Sequence, residues 1–276
     1  MKLPLLPPAP RERSSRSRRG TVIGMAALPE PDHVHRRLQE WWDADAEVYD
    51  RAASHSASDP VEAAAWRAAL LRHLPPPPAR VLDVGAGTGS LSVLAAQLGF
   101  RVTALDLSPQ MLERAREKAK AQGLEVQTVV GPAQEPPRGP FDAVMERHLL
   151  WTLPDPVGAL SAWRTVVPDG RVVLFEGTWR PQDPVGRTKL WLAGLVRRAL
   201  QIPQEHHGEY DPDLLETLPL AERMSPAAVL EVLASAGFAR ARIERLRDIE
   251  WARLLAEHPL LGPLESVPRF AVLADG

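Results

Sequence analysis

The 276-residue chain contains no cysteine. This excludes a disulfide framework, a thiolate nucleophile and any cysteine-ligated metal. No apolar run approaches the ~20 residues that cross a bilayer, so no membrane span is expected. The H-E-x-x-H spacing of helical zinc sites is missing as well. The adjacent His206 and His207, beside Glu205 and Tyr210, would point in different directions in a helix or a strand, and no metal is expected. Charge of one sign is lacking too: 33 Lys and Arg stand against 35 Asp and Glu, a formal −2. The chain as a whole therefore makes no case for a nucleic-acid or membrane partner. There are no internal repeats. What remains is expected to be a soluble, cytoplasmic protein, long enough to bury a substantial core.

The charge is unevenly spread. Lys2, Arg11, Arg13, Arg16, Arg18 and Arg19 face only Glu12 within residues 1–24, a local +5 that leaves −7 for the remainder. No apolar stretch follows these charges as it would in a secretory signal. Residues 1–29 are expected to be a disordered or spurious extension, and 30–276 one domain.

The most informative segment runs Arg80-Val-Leu-Asp-Val-Gly-Ala-Gly-Thr-Gly-Ser-Leu-Ser92, with Val102-Thr-Ala-Leu-Asp106 after it. An apolar run ends in Asp83 and turns through Gly85, Ala86, Gly87 and Gly89. A helical segment and a second apolar run follow, ending in Asp106. Strand, glycine turn, helix, strand and acid form the half-unit that binds an adenosine-containing cofactor at the carboxyl ends of parallel strands. Glycine lets the backbone take positive φ and lets a ligand approach where a Cβ would clash. Asp106, 19 residues beyond Gly87, stands where a carboxylate accepts hydrogen bonds from ribose hydroxyls. The spacing G-x-G-x-G, with Ser90 where a third dinucleotide-type glycine would stand, disfavours a nucleotide-dependent oxidoreductase. Asp83 also speaks against a pyrophosphate and for a ligand carrying cationic groups.

These residues resemble motif I of the class I S-adenosylmethionine-dependent methyltransferases. Phe141-Asp142-Ala-Val and the later Leu153-Pro-Asp-Pro156 are similar to the small-molecule branch of that family. The resemblance implies a Rossmann-like α/β fold: a seven-stranded, mostly parallel sheet of order 3-2-1-4-5-7-6 whose last strand is antiparallel. It also implies an N-terminal helical lid over residues 30–78 and a cap insertion after strand 5 over 177–223. The spacing agrees with the alternation: strands at Val81–Val84, Val102–Leu105, Val126–Val130, Phe141–Met145, Arg171–Phe175, Ala241–Leu246 and Pro268–Leu273. Helices are expected over 33–50, from Pro60 to Leu74, after Ser108-Pro109, after Asp155-Pro156 and after Ser225-Pro226.

The implied cofactor is S-adenosylmethionine. The residues expected to bind it are Tyr49, Asp83, Gly85, Ala86, Gly87, Gly89, Asp106, Leu107, Met111, Ala133, Gln134, Glu146 and Arg147. Pro132 stands where the family often has an acid against the adenine, which leaves Ala133 and Gln134 for that contact. Trp42 and His55 accompany Tyr49 in the lid. His148, just past the fourth strand, is the candidate catalytic base, because histidine has the intrinsic pKa that proton transfer near neutrality needs. Glu176 could meet a cationic substrate or equally cap a turn, and Trp179 and Trp191 could wall an apolar pocket. The expected function is methyl transfer to an oxygen or nitrogen atom of a small molecule. Two alternatives are an RNA or protein methyltransferase using the basic N-terminal arm, and a non-catalytic S-adenosylmethionine-binding module.

Overall fold

The computed structural model describes residues 31–51, 57–178, 183–202 and 211–275. The expectations for the N-terminal extension and for His55, Trp179, Glu205, His206, His207 and Tyr210 lie outside these residues. Seven strands form one sheet: β1 (Arg80–Val84), β2 (Arg101–Asp106), β3 (Val126–Val130), β4 (Ala143–Arg147), β5 (Arg171–Gly177), β6 (Ala241–Arg245) and β7 (Arg269–Asp275). Their order is β3-β2-β1-β4-β5-β7-β6. The first five run parallel, and β7 is antiparallel to both β5 and β6. The sheet order and the single reversed strand are as the sequence implies.

The helices are α1 (Pro31–Asp45), α2 (Pro60–His73), α3 (Ser90–Gln97), α4 (Pro109–Ala121), α5 (Pro156–Val166), α6 (Pro184–Leu200), α7 (Pro226–Ser235) and α8 (Arg247–Ala256). Several begin with proline at the first turn behind a capping side chain. Asp59 Oδ1 accepts from the amides of Val61 and Glu62, and Ser108 Oγ accepts from that of Met111. These caps satisfy donors that the first turn otherwise leaves unpaired.

The central strands are buried on both faces, as a covered parallel sheet requires. Leu82, Val84, Val144 and Val172 join Trp163 of α5 and Val229 and Leu233 of α7 on one face. Val81, Met145 and Phe175 join Trp66 and Leu70 of α2, Leu94 of α3 and Ile249 of α8 on the other. Trp66 and Phe175 meet edge to face with ring centroids 5.5 Å apart.

Three departures from the expected elements bear on the site. Strand β4 begins at Ala143, two residues late, because Phe141 is a buried plug whose amide donates to the Val166 carbonyl. The strand therefore runs through Glu146 and Arg147, and β5 likewise runs through Glu176. Helix α1 ends at Asp45, and Tyr49–Arg51 form a separate 3₁₀ turn. That turn is pinned from outside: Asp50 accepts from Thr88 Oγ1 (2.7 Å) and pairs with Lys118 Nζ (2.7 Å). No element is expected between the last two strands, yet α8 lies there and covers α2 and β7.

Candidate functional site

A cavity open at its mouth lies at the carboxyl ends of β1, β2 and β4. The glycine turn forms one wall, with Gly85 and Gly87 both at positive φ (+64° and +55°). A Cβ on Gly87 would have Tyr49 Cε1 as its nearest neighbour at 3.9 Å, so it would project into cavity space. Asp106 braces the turn. Its Oδ2 accepts from the Gly87 amide (2.7 Å) and its Oδ1 from the Ser108 amide (2.8 Å). Each oxygen retains a second lone pair, so the carboxylate can brace the turn and accept from a diol at once.

Leu107, Met111, Ala133 and Gln134 line the adjoining wall. The Ala133 carbonyl already accepts from Trp163 Nε1 (2.7 Å). Gln134 Oε1 is buried with no hydrogen-bond partner among the described residues. A buried acceptor left open costs about 1–3 kcal/mol, which a ligand amine would recover. The glycine cradle, the carboxylate beside it and this open acceptor fit an adenosine: turn against the tail, acid against the ribose, amide against the exocyclic amine. From α1 and its following turn come His35, Leu38, Trp42 and Tyr49. Trp42 and Tyr49 meet edge to face (5.9 Å), and burial pushes the Tyr49 phenol up to about 12.

Arg147 and His148 form the opposite side with Leu149 and Thr152. Arg147 lies over the Trp66 ring, 5.3 Å from its centroid. His148 adopts φ +61°, a left-handed conformation uncommon outside glycine and strained enough to mark sites of function. Its Nε2 is 3.0 Å from Arg269 Nη1 and its Nδ1 is 3.6 Å from Glu176 Oε2. A guanidinium only donates, so Nε2 is the acceptor here. The candidate base thus lines the cavity as expected, but its acceptor nitrogen is held by a neighbouring cation, which the sequence reading did not include.

Four expected cofactor contacts stand behind the wall rather than on it. Asp83 accepts from Ser92 Oγ (2.6 Å) beneath the turn, and Ala86 donates its amide to the Leu105 carbonyl. Gly89 packs on α4, where a Cβ would lie 2.7 Å from Ala115 Cβ. Glu146 is fully buried, with Oε2 accepting from the Leu149 amide. Glu176 accepts from the Leu150 amide and so tethers the loop after β4, as the turn-capping reading has it. Trp191 lies outside the cavity lining and is 64% exposed. Sequence reasoning missed Arg269, Thr88 and Lys118, which act across 19 residues or more of chain. Only the Thr88 position, inside the glycine motif, carried a local signal.

The buried acids make stability pH-dependent. Burial pushes Asp83 up to about 7, Asp106 to about 6 and Glu146 to about 8, while burial and then Glu146 raise Glu176 well above its usual range. Each holds its proton to higher pH when folded than when unfolded. Their contribution is therefore fully present below the ordinary carboxylate range and lost as pH rises through 6 to 8. The melting temperature is expected to rise as buffer is taken from pH 8.5 to 5.5, and Glu146→Gln should flatten that slope. A melting temperature highest at pH 8.5 would contradict this assignment.

A family model described as a methyltransferase domain matches residues 82–174. A ubiquinone biosynthesis O-methyltransferase of Xanthomonas campestris pv. campestris is 36% identical over 173 residues, 61% of this chain and 65% of the relative. The chain thus spans under two thirds of that relative's length. A demethylmenaquinone methyltransferase of Thermus thermophilus is 32% identical over 176 residues, 58% of this chain and 74% of the relative. Among solved structures, the [4+2]-cyclase SpnF aligns over 87% of this chain and 96% of its own, with TM-score 0.59 and 17% identity. Phosphoethanolamine N-methyltransferase 2 of Haemonchus contortus, in complex with S-adenosyl-L-methionine, aligns over 84% of this chain and 56% of its own, with TM-score 0.54 and 19% identity. At such identity the structures speak for the fold alone, and one fold serves several chemistries.

Proposed function

The chain belongs to the class I S-adenosylmethionine-dependent methyltransferase family, and we propose that it transfers a methyl group from S-adenosylmethionine to an oxygen atom of a small molecule. The supporting observation is one cavity that joins the Asp106 carboxylate, the glycine turn and the open Gln134 acceptor on one side to His148 on the other. The relatives named as O-methyltransferases favour oxygen as the acceptor atom.

The cofactor, when bound, supplies a methyl group already activated on a sulfonium sulfur. Asp106 would accept from the ribose hydroxyls, and Gln134 would accept from the adenine amine. Gly87 leaves room for the amino-acid tail, near which the Arg147 guanidinium would pair with the carboxylate. Residues 30–78 would serve as the lid, with Trp42 and Tyr49 excluding water from the reacting atoms. Of 177–223, Leu214 and Leu218 pack on Val34 and Leu38 of α1, so this segment would back the lid instead of walling the substrate. With the cofactor bound, these residues would hold an acceptor oxygen in line with the activated methyl group and keep water from it. The hydroxyl proton passes to His148 Nε2 once Arg269 yields that position.

Calorimetry tests the cofactor. S-adenosylmethionine and S-adenosylhomocysteine are expected to bind, and NAD is not. Asp106→Ala should weaken binding by about 1–3 kcal/mol, roughly 5- to 150-fold. Equal affinity in the variant, or tighter NAD binding, would refute the assignment. A mass-spectrometric screen of phenols, alcohols, carboxylates and amines then reads the acceptor. Methyl gain on hydroxyl compounds supports the proposal. Gain on amines alone, or on no compound, overturns it.

A further inference from the structure

The longest helix among the described residues, α6, is also the least covered. Ala193 is its one buried residue, while Val185 (65%), Trp191 (64%) and Leu195 (43%) stand exposed. Helical spacing gathers these side chains. Val185, Leu192 and Ala199 recur every seven residues, and Leu195 and Trp191 stand four apart along the same side. The helix carries Arg187, Lys189, Arg197 and Arg198 and no acid. Arg197 is bound to Glu265 through two hydrogen bonds and so fixes the helix to the single turn Gly262–Glu265. Arg187, Lys189 and Arg198 are exposed and border the apolar stripe.

Neighbouring elements continue the pattern. The 262–265 turn contacts both α6 and α8, and Trp251 and Leu255 of α8 and Leu260 before the turn are all exposed. This turn leads into β7, whose first residue, Arg269, pairs with Gly177 at the carboxyl end of β5. Arg269 also touches His148 in the cavity wall. The turn that anchors α6 therefore lies close in sequence to the sheet edge on which the cavity opens.

A face this apolar needs a covering surface, and its charge selects which one. Pairing with a second copy would set the cationic margins of two α6 helices against each other. An anionic surface neutralises them instead, and an exposed tryptophan suits a boundary with one apolar and one wet side. We propose that α6 docks the protein on the surface of an anionic lipid bilayer, with its apolar stripe sunk below the headgroups and Arg187, Lys189 and Arg198 level with the phosphates. No helix among the described residues is long and apolar enough to cross a membrane, so the helix lies on the bilayer rather than through it. The proposal departs from the sequence expectation of no membrane partner, which rested on total charge; the −2 averages away a local run of four cations.

The test is co-sedimentation of the full chain with vesicles of phosphatidylcholine alone or mixed with phosphatidylglycerol. Binding to the mixed vesicles is expected, weakening with added salt. Arg187→Gln/Arg198→Gln should lower it roughly 30-fold. Trp191→Glu/Leu195→Glu should lower it at least as far. The arginine variant alters no packed side chain, and its melting temperature confirms that the fold survives. Failure to bind mixed vesicles would overturn the proposal, as would equal binding of parent and arginine variant. Sedimentation velocity without lipid gives the remaining outcome: a parent dimer that Trp191→Glu/Leu195→Glu dissociates would assign the face to a second copy. The readout is lipid binding, so it stands whether or not the proposed transfer does.

Discussion

Gly87→Val is expected to weaken S-adenosylmethionine binding ~100-fold or more, a loss of about 3 kcal/mol, while the protein stays folded. At φ +55° the new side chain strains the backbone by about 1–2 kcal/mol. Its Cβ meets nothing closer than Tyr49 at 3.9 Å, so the fold tolerates it and the ligand's space does not. Gly89→Val makes the opposite case two residues away. There the Cβ would lie 2.7 Å from Ala115 Cβ and 3.0 Å from its Cα, at φ +79°. Backbone strain of about 1–2 kcal/mol and overpacking of about 1–3 kcal/mol together give a ~2–5 kcal/mol loss of stability. Thermal melts with and without S-adenosylmethionine separate the two, because a ligand raises the melting temperature only if the folded state binds it. The Gly87 variant should melt only a few degrees below the parent and gain no ligand shift. The Gly89 variant should melt far below the parent yet retain a shift where it folds. A full ligand shift in Gly87→Val would remove the turn from the binding site.

That contrast marks what could be read from the chain. The glycine motif identifies a turn that needs positive φ and close approach, and all three of its glycines do take positive φ. Spacing does not say what approaches. At Gly87 it is the cavity, and at Gly89 it is helix α4. The place of Asp106 beside the turn was legible because strand β2 ends there, a local consequence of the strand–turn–helix–strand order. The sequence does not say where the Asp83 and Glu146 side chains point: Asp83 accepts from Ser92 Oγ and Glu146 from the Leu149 amide. Neighbouring strand residues face opposite sides of the sheet, so one residue's difference decides between cavity and core. Strand β4 runs two residues past Met145, so Glu146 lies inside it and faces Glu176. The Arg269 contact went unread because it depends on β7 folding back beside β5, a long-range pairing with no local pattern. Helix α8 did carry local signals, in Asp248 and Glu250 of its first turn and in Ile249 and Ala252 three apart.

The largest effect on turnover is expected at His148. If Nε2 takes the acceptor's proton, His148→Ala should lower kcat by ~10²–10⁴-fold and leave S-adenosylmethionine affinity unchanged, because the lost interaction is with the nucleophile. The limb of the pH–rate profile that reports titration of the base should vanish with it. Alanine alone does not separate chemistry from support, since it also removes the partner of the buried Arg269, whose guanidinium burial brings down to about 9. His148→Gln does separate them. Its amide oxygen can still accept from Arg269 but cannot carry away a proton. A glutamine variant as slow as alanine assigns His148 to proton transfer. Rescue by glutamine to the parent rate would make His148 a residue that positions Arg269, with the transfer driven by alignment alone. The resting bond from Arg269 makes a further demand on any base role: Nε2 must exchange a guanidinium for a hydroxyl during each turnover. Arg269→Gln removes that competitor, so it should lower KM for the acceptor more than it alters kcat. A raised KM in that variant would show that Arg269 itself holds the acceptor.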